Sequence, residues 1–114
     1  MGHREYNRSD RVAALLRRET AVLVHDAVRE KLVPSVSVSD VEVTRDMAHA
    51  KVYVTALSPE QAKEAIKALK ELAREFRVEL SHRLKLRSVP ELHFHYDDSV
   101  DRGERIDRLL RGSP

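Results

Sequence analysis

The chain switches between two hydrophobic periods. Val12, Leu15, Leu16, Val22, Leu23 and Ala27 recur at helical spacing and form one apolar stripe. The spacing predicts a helix capped by Ser9 or Asp10 and running to about Lys31, with Pro34 blocking any continuation. Val36, Val38, Val41 and Val43 then follow a period near two. Their parity changes between Val38 and Val41, which predicts a bulge near Ser39–Asp40. Val52 and Val54 alternate with Lys51, Tyr53 and Thr55, so a second strand returns through Leu57. Arg45–Asp46–Met47–Ala48 is the tip between the two strands. Asp46 is expected to start that turn, because its short carboxylate can accept from the backbone two residues on.

Ser58–Pro59–Glu60–Gln61 restores the longer period. Serine is a good N-cap, proline suits the first helical position, and Gln61 completes a capping box. Ala62, Ala65, Ile66, Leu69, Leu72, Ala73, Phe76, Leu80 and Leu84 extend the apolar face over about 26 residues without a breaker. A small domain buries so long a straight rod poorly, so a kink is expected. Val89–Pro90 opens a last strand in which Leu92, Phe94 and Tyr96 alternate with Glu91, His93 and His95, ending at Asp97–Asp98–Ser99. Residues 4–99 form the expected domain. Residues 100–114, with Val100, Ile106, Leu109 and Leu110 interrupted by Gly103, read as a weakly helical or disordered tail.

The order is helix, strand, strand, long helix, strand. A strand reached by a helical crossover usually lies parallel to a neighbour, which predicts a three-stranded mixed sheet. With one apolar face per element, the fold class is α+β: a two-layer sandwich with one open sheet face.

Composition narrows the chemistry. The 114 residues suit one domain, and the hydrophobic content of 41% is enough for a modest core. Aromatics are few (three Tyr, two Phe, no Trp), so Val, Leu and Ala must fill it. The absence of cysteine excludes disulfides, thiol catalysis and Cys-based zinc sites, and fits a reducing cytosol. No secretory or membrane-spanning segment is read, so a cytoplasmic protein is expected.

The net charge of +2 conceals segregation. Arg74, Arg77, Arg83, Lys85 and Arg87 cluster against only Glu75 and Glu79, and Arg4, Arg8, Arg11, Arg17 and Arg18 crowd the beginning. Acids concentrate at the end and in mid-chain (Glu60, Glu64, Glu71). Such a distribution can build a positive face suited to a polyanion; an ordinary solvated helix surface is the alternative reading.

Catalytic patterns find little support. His93–Phe94–His95–Tyr96–Asp97 contains H-x-H-x-D, and alternate strand residues share a face, so His93 and His95 are conceivable zinc partners. The later His and Asp ligands of such sites are missing, which leaves a solvated strand edge as the expected reading, with no metal and no cofactor. No glycine-rich phosphate loop or nucleophile elbow occurs either. Tyr53 and His49 near the tip are candidates for stacking on a base, with a half-buried strand tyrosine as the plainer reading.

Two separated stretches go further than periodicity. Arg45-Asp46-Met47-Ala48-His49-Ala50-Lys51-Val52-Tyr53-Val54-Thr55 and Leu86-Arg87-Ser88-Val89-Pro90-Glu91-Leu92-His93-Phe94-His95-Tyr96-Asp97-Asp98-Ser99 closely resemble ribosome-binding factor A, a bacterial family. The opening Arg8-Ser9-Asp10-Arg11-Val12 also fits, so the likeness spans roughly Arg4 to Leu110. The resemblance implies a type II KH-like topology (α-β-β-α-kink-α-β), with the kink at an Ala-x-Gly element. Here the matching residues are Ala73–Arg74–Glu75, without the glycine.

It further implies a non-enzymatic assembly factor that binds the free 30S small ribosomal subunit or its precursor through 16S rRNA. Late maturation, 16S rRNA 5′-end processing and growth in the cold are the implied roles; a monomer is expected. KH domains normally clamp RNA with a GXXG loop, yet this chain has only Gly2, Gly103 and Gly112, none between helical segments. RNA binding therefore falls to charge, and the candidate phosphate contacts are Arg8, Arg11, Arg45, Lys51, Arg74, Arg77, Arg83, Lys85 and Arg87. Two other readings stay open: a KH-like protein-interaction or general RNA-binding module not tied to the ribosome, and a processing enzyme using the His/Asp cluster.

Overall fold

Each element forms where its local chemistry directs. The computed structural model describes residues 8–97; the expected tail lies outside them. Helix α1 spans Arg8–Arg29, strand β1 Ser37–Val43, strand β2 His49–Thr55, helix α2 Pro59–Leu84 and strand β3 Glu91–Tyr96. Ser9 and Asp10 fall inside the first turn of α1, so neither is its N-cap; Ser9 is buried there, and Asp10 places an acid where the helix dipole favours one. The expected stripe also shifts. Val12, Leu16, Leu23 and Ala27 are buried with Thr20 and Val24, whereas Leu15 and Val22 remain 37% and 41% exposed.

Strands β1 and β2 pair antiparallel, and the register slips between Val38 and Asp40, leaving Ser39 as the extra residue of the expected bulge. At the tip, Thr44 rather than Asp46 starts the turn: the Met47 amide donates to the Thr44 carbonyl at 2.8 Å. Asp46 still accepts from the amide two residues on, Ala48, at 3.0 Å. Strand β3 lies parallel to β2, giving a mixed sheet of order β1–β2–β3.

At the start of helix α2, Ser58 Oγ accepts from the Gln61 amide at 3.1 Å and Pro59 takes the first helical position. The Gln61 side chain, expected to close a capping box, donates through Nε2 to the Ser35 carbonyl at 3.2 Å. Residues 59–84 form one continuous 26-residue helix, so the two shorter helices that the resemblance implies are not separated near Ala73. Ala73, Arg74 and Glu75 are all favourable helix residues, and without glycine no position there has the backbone freedom to leave the helix cheaply. The helix ends instead at Lys85, in left-handed conformation with φ of 53°.

Both helices cover one face of the sheet, α1 over β1 and α2 over β3. Leu16 and Val24 of α1, Leu69 and Leu80 of α2, and Val52 and Val54 of β2 are fully enclosed. Phe76 and Phe94 meet edge to face with centroids 6.4 Å apart, fixing α2 on β3. No helix among the described residues is long and apolar enough to cross a membrane.

Candidate nucleic-acid interface

Helix α2 carries three stripes. Its apolar positions face the sheet. Lys63, Lys67, Lys70, Arg74 and Arg77 recur at helical spacing along one flank, and Glu60, Glu64, Glu71, Glu75 and Glu79 along the other. At about 100° per residue the five cations occupy a band about 80° wide. The acidic flank borders α1, where Glu79 meets Arg83 and Arg83 reaches Glu19. The basic flank borders the outer edge of β3. There Lys70, Ala73, Arg74 and Arg77 form one wall of an open groove of about 500 Å³, with residues 91–95 as the other.

The nine residues expected to touch phosphate divide between different surroundings. Arg74 and Arg77 stand in the groove, although Arg77 also donates through Nη2 to the Val89 carbonyl at 2.8 Å and so anchors the loop before β3. Lys51 lies exposed on the open sheet face, paired in register with Glu42 and His93. Arg8 and Arg87 converge on a smaller recess of about 140 Å³ at the hairpin tip, with Asp46, Met47 and Pro90. This recess adjoins the groove where Pro90 leads into Glu91. Arg11, Arg45 and Lys85 are exposed on α1, at the tip and at the end of α2 respectively.

Arg83 stands apart from these. Its guanidinium lies 3.3 Å from Glu19 and 3.4 Å from Glu79, and these carboxylates raise its affinity for its proton. Its charge is compensated within the protein by two carboxylates, and it links the two helices. Conversely, Lys63, Lys67 and Lys70 were not among the expected contacts. Their signal is the i, i+4, i+7, i+11, i+14 spacing that they share with Arg74 and Arg77, which appears on the helical face and not in the charge density of any one segment. Among the described residues none of Lys63, Lys67, Lys70 and Arg74 is ion-paired.

Histidines His93 and His95 line the strand side of the groove. Burial, then the neighbouring charges of Lys51, His93 and Lys70, push the His95 imidazole down from its ordinary value. His95 lies beside Tyr53, ring centroids 5.9 Å apart. His93, which the sequence paired with His95, instead meets His49, Nε2 to Nδ1 at 3.0 Å. Tyr53 is 8% exposed and so offers little ring surface for stacking.

The architecture defines a glycine-poor, KH-like α+β domain whose helix–strand groove is lined by cations instead of a GXXG loop. Residues 8–110 match the family model for ribosome-binding factor A. The chain is 66% identical over 109 residues to ribosome-binding factor A of Stenotrophomonas maltophilia, covering 96% of this chain and 86% of that one. To the Xanthomonas axonopodis pv. citri protein of the same name it is 61% identical over 111 residues, covering 97% and 85%. The crystal structure of ribosome-binding factor A from Thermus thermophilus superposes with a TM-score of 0.67 at 26% identity, covering 80% of this chain and 97% of that one. A homology model of the Thermus thermophilus protein fitted into a cryo-EM map of a 30S–RbfA complex gives 0.63 at 27% identity, covering 75% and 90%. This chain belongs to the ribosome-binding factor A family.

Proposed function

We propose that this chain binds the small ribosomal subunit or its precursor and grips 16S rRNA phosphates in the groove between α2 and β3. One observation carries the reading: Lys70, Arg74 and Arg77 line the groove on a single flank of α2, and the acids of that helix are turned to its other flank. Arginine's planar fork suits bidentate phosphate contact, and a fixed row of cations positions a strand without reading its bases. Arg8 and Arg87 at the tip recess, with Arg45, extend the surface, and Lys51 adds charge on the open face. Family membership and the relative fitted into a 30S map support the choice of partner.

Binding energy here is spent on geometry. The domain holds rRNA strands in an intermediate arrangement during late maturation and 5′-end processing, and makes or breaks no bond itself. The reading places a monomer in the cytoplasm, where subunits assemble.

Co-sedimentation with purified small subunits tests this. Lys70→Glu with Arg74→Glu removes two phosphate contacts and adds repulsion, so association at moderate salt should weaken by at least about tenfold. Wild-type association by that double variant would remove the groove from the interface.

A further inference from the structure

We propose that His49, Glu91 and His93 form a binding site for a divalent first-row transition metal, Zn²⁺ being the ion used to probe it. The site owes nothing to the phosphate groove reading. It arises from the parallel pairing of β2 with β3, which sets His49 opposite Glu91 and Lys51 opposite His93, so that the two histidines meet on the diagonal. The Glu91 amide donates to the Ala48 carbonyl at 2.9 Å and fixes the start of β3 against β2. The ligands therefore stand on paired strands rather than on a loop, which lowers the cost of bringing them together.

One donor atom from each of the three side chains lies within 4.8 Å of the others. His49 Nδ1 is 3.0 Å from His93 Nε2 and 3.8 Å from a Glu91 carboxylate oxygen. Ligands at about 2.0–2.1 Å from zinc sit about 3.3 Å apart in tetrahedral and about 3.0 Å apart in octahedral coordination. Small rotamer adjustments bring all three onto one ion. Without a metal, two imidazole nitrogens at this distance can share only one proton; a cation uses both lone pairs.

The His49 and Glu91 side chains are 52% and 58% exposed, so an ion has direct access. Two imidazoles and one carboxylate favour zinc and its first-row neighbours over the oxygen-seeking Mg²⁺ and Ca²⁺. Three protein ligands leave at least one position for water. Lys51, directly opposite His93, opposes a dication electrostatically, as do Arg74 and Arg77 across the groove from Glu91 and His93; His95 contributes no ligand. Affinity is therefore moderated rather than abolished. Occupancy would tie together the beginnings of β2 and β3, adding to the backbone pairing and the His49 contacts already made there.

Calorimetric titration of the untagged full chain with ZnCl₂ at about pH 7.5 is the test. The expected result is one Zn²⁺ per chain, undisturbed by millimolar Mg²⁺, with a rise in the thermal midpoint. His49→Ala and His93→Ala should each weaken binding at least about tenfold, and the double variant should lose it, whereas His25→Ala on the exposed face of α1 should bind as wild type. Absence of stoichiometric uptake by the wild-type chain would overturn the site. So would uptake retained by the His49→Ala/His93→Ala double variant, because the ion would then reside elsewhere.

Discussion

Arg83 of α2 holds Glu19 of α1 with Nη1 3.3 Å from Oε1, and the same guanidinium reaches back to Glu79 at 3.4 Å. A residue that segment charge assigns to the RNA-binding set is thus spent between the helices. Arg83→Gln should therefore leave co-sedimentation with small subunits at the wild-type level while lowering the thermal midpoint slightly. Arg74→Gln, whose side chain stands in the groove without a carboxylate partner among the described residues, should do the reverse. Equal effects of the two changes on subunit association would show that Arg83 and Arg74 do not differ in role.

The Asp46 carboxylate supports the hairpin tip and should make it acid-sensitive. The Ala48 amide and then the Thr44 hydroxyl hold it below the ordinary aspartate value. A depressed folded pKa means stabilisation that is present above the unfolded value and lost as pH falls through the folded one. Between about pH 5 and pH 2 the wild-type thermal midpoint should therefore fall more than that of Asp46→Ala. Parallel curves would show that the carboxylate contributes nothing at the tip.

Thr20 sits fully enclosed in α1, and its hydroxyl has no hydrogen-bond partner among the described residues. An enclosed, unpaired hydroxyl costs stability, and valine fills nearly the same volume. Thr20→Val should raise unfolding stability by about 1 kcal/mol in urea denaturation. A loss of stability would reveal an interaction made by that hydroxyl.

Lys31 ends α1 in left-handed conformation, φ 62°, where glycine is the usual residue. The Leu32 amide donates to Ala27 at 2.9 Å and the Lys31 amide to Val28 at 3.0 Å, the double bond of a Schellman cap. Lys31 is exposed and outside the groove, so Lys31→Gly should stabilise the domain by about 0.5–1 kcal/mol without altering subunit association. The same change at Lys85, φ 53°, separates its cap role from any phosphate contact: a more stable protein with weaker association would assign it both.

Much of the fold was legible because its signals are local. The Ser58–Pro59 start of α2, the bulge at Ser39 and the alternation of Leu92 and Phe94 each follow from a few neighbouring residues. Helix α2 runs unbroken through Ala73, Arg74 and Glu75, residues that themselves favour helix. The candidate interface was only half legible. Arg74 and Arg77 announced themselves by density of charge, whereas Lys63, Lys67 and Lys70 required the helical wheel.

By itself, then, the order of residues determined the elements and the family, since periodicity and motif strings are properties of short stretches of chain, whereas the inward face of α1 was settled by packing. Tertiary packing alone decided that Arg83 answers Glu19, that the basic flank of α2 faces the edge of β3, and that His93 meets His49 across 44 positions rather than His95 beside it. Those pairings depend on helix rotation against the sheet and on the register of parallel strands. Both are set by how the enclosed side chains of all five elements fit together at once, a condition that no local stretch of sequence contains.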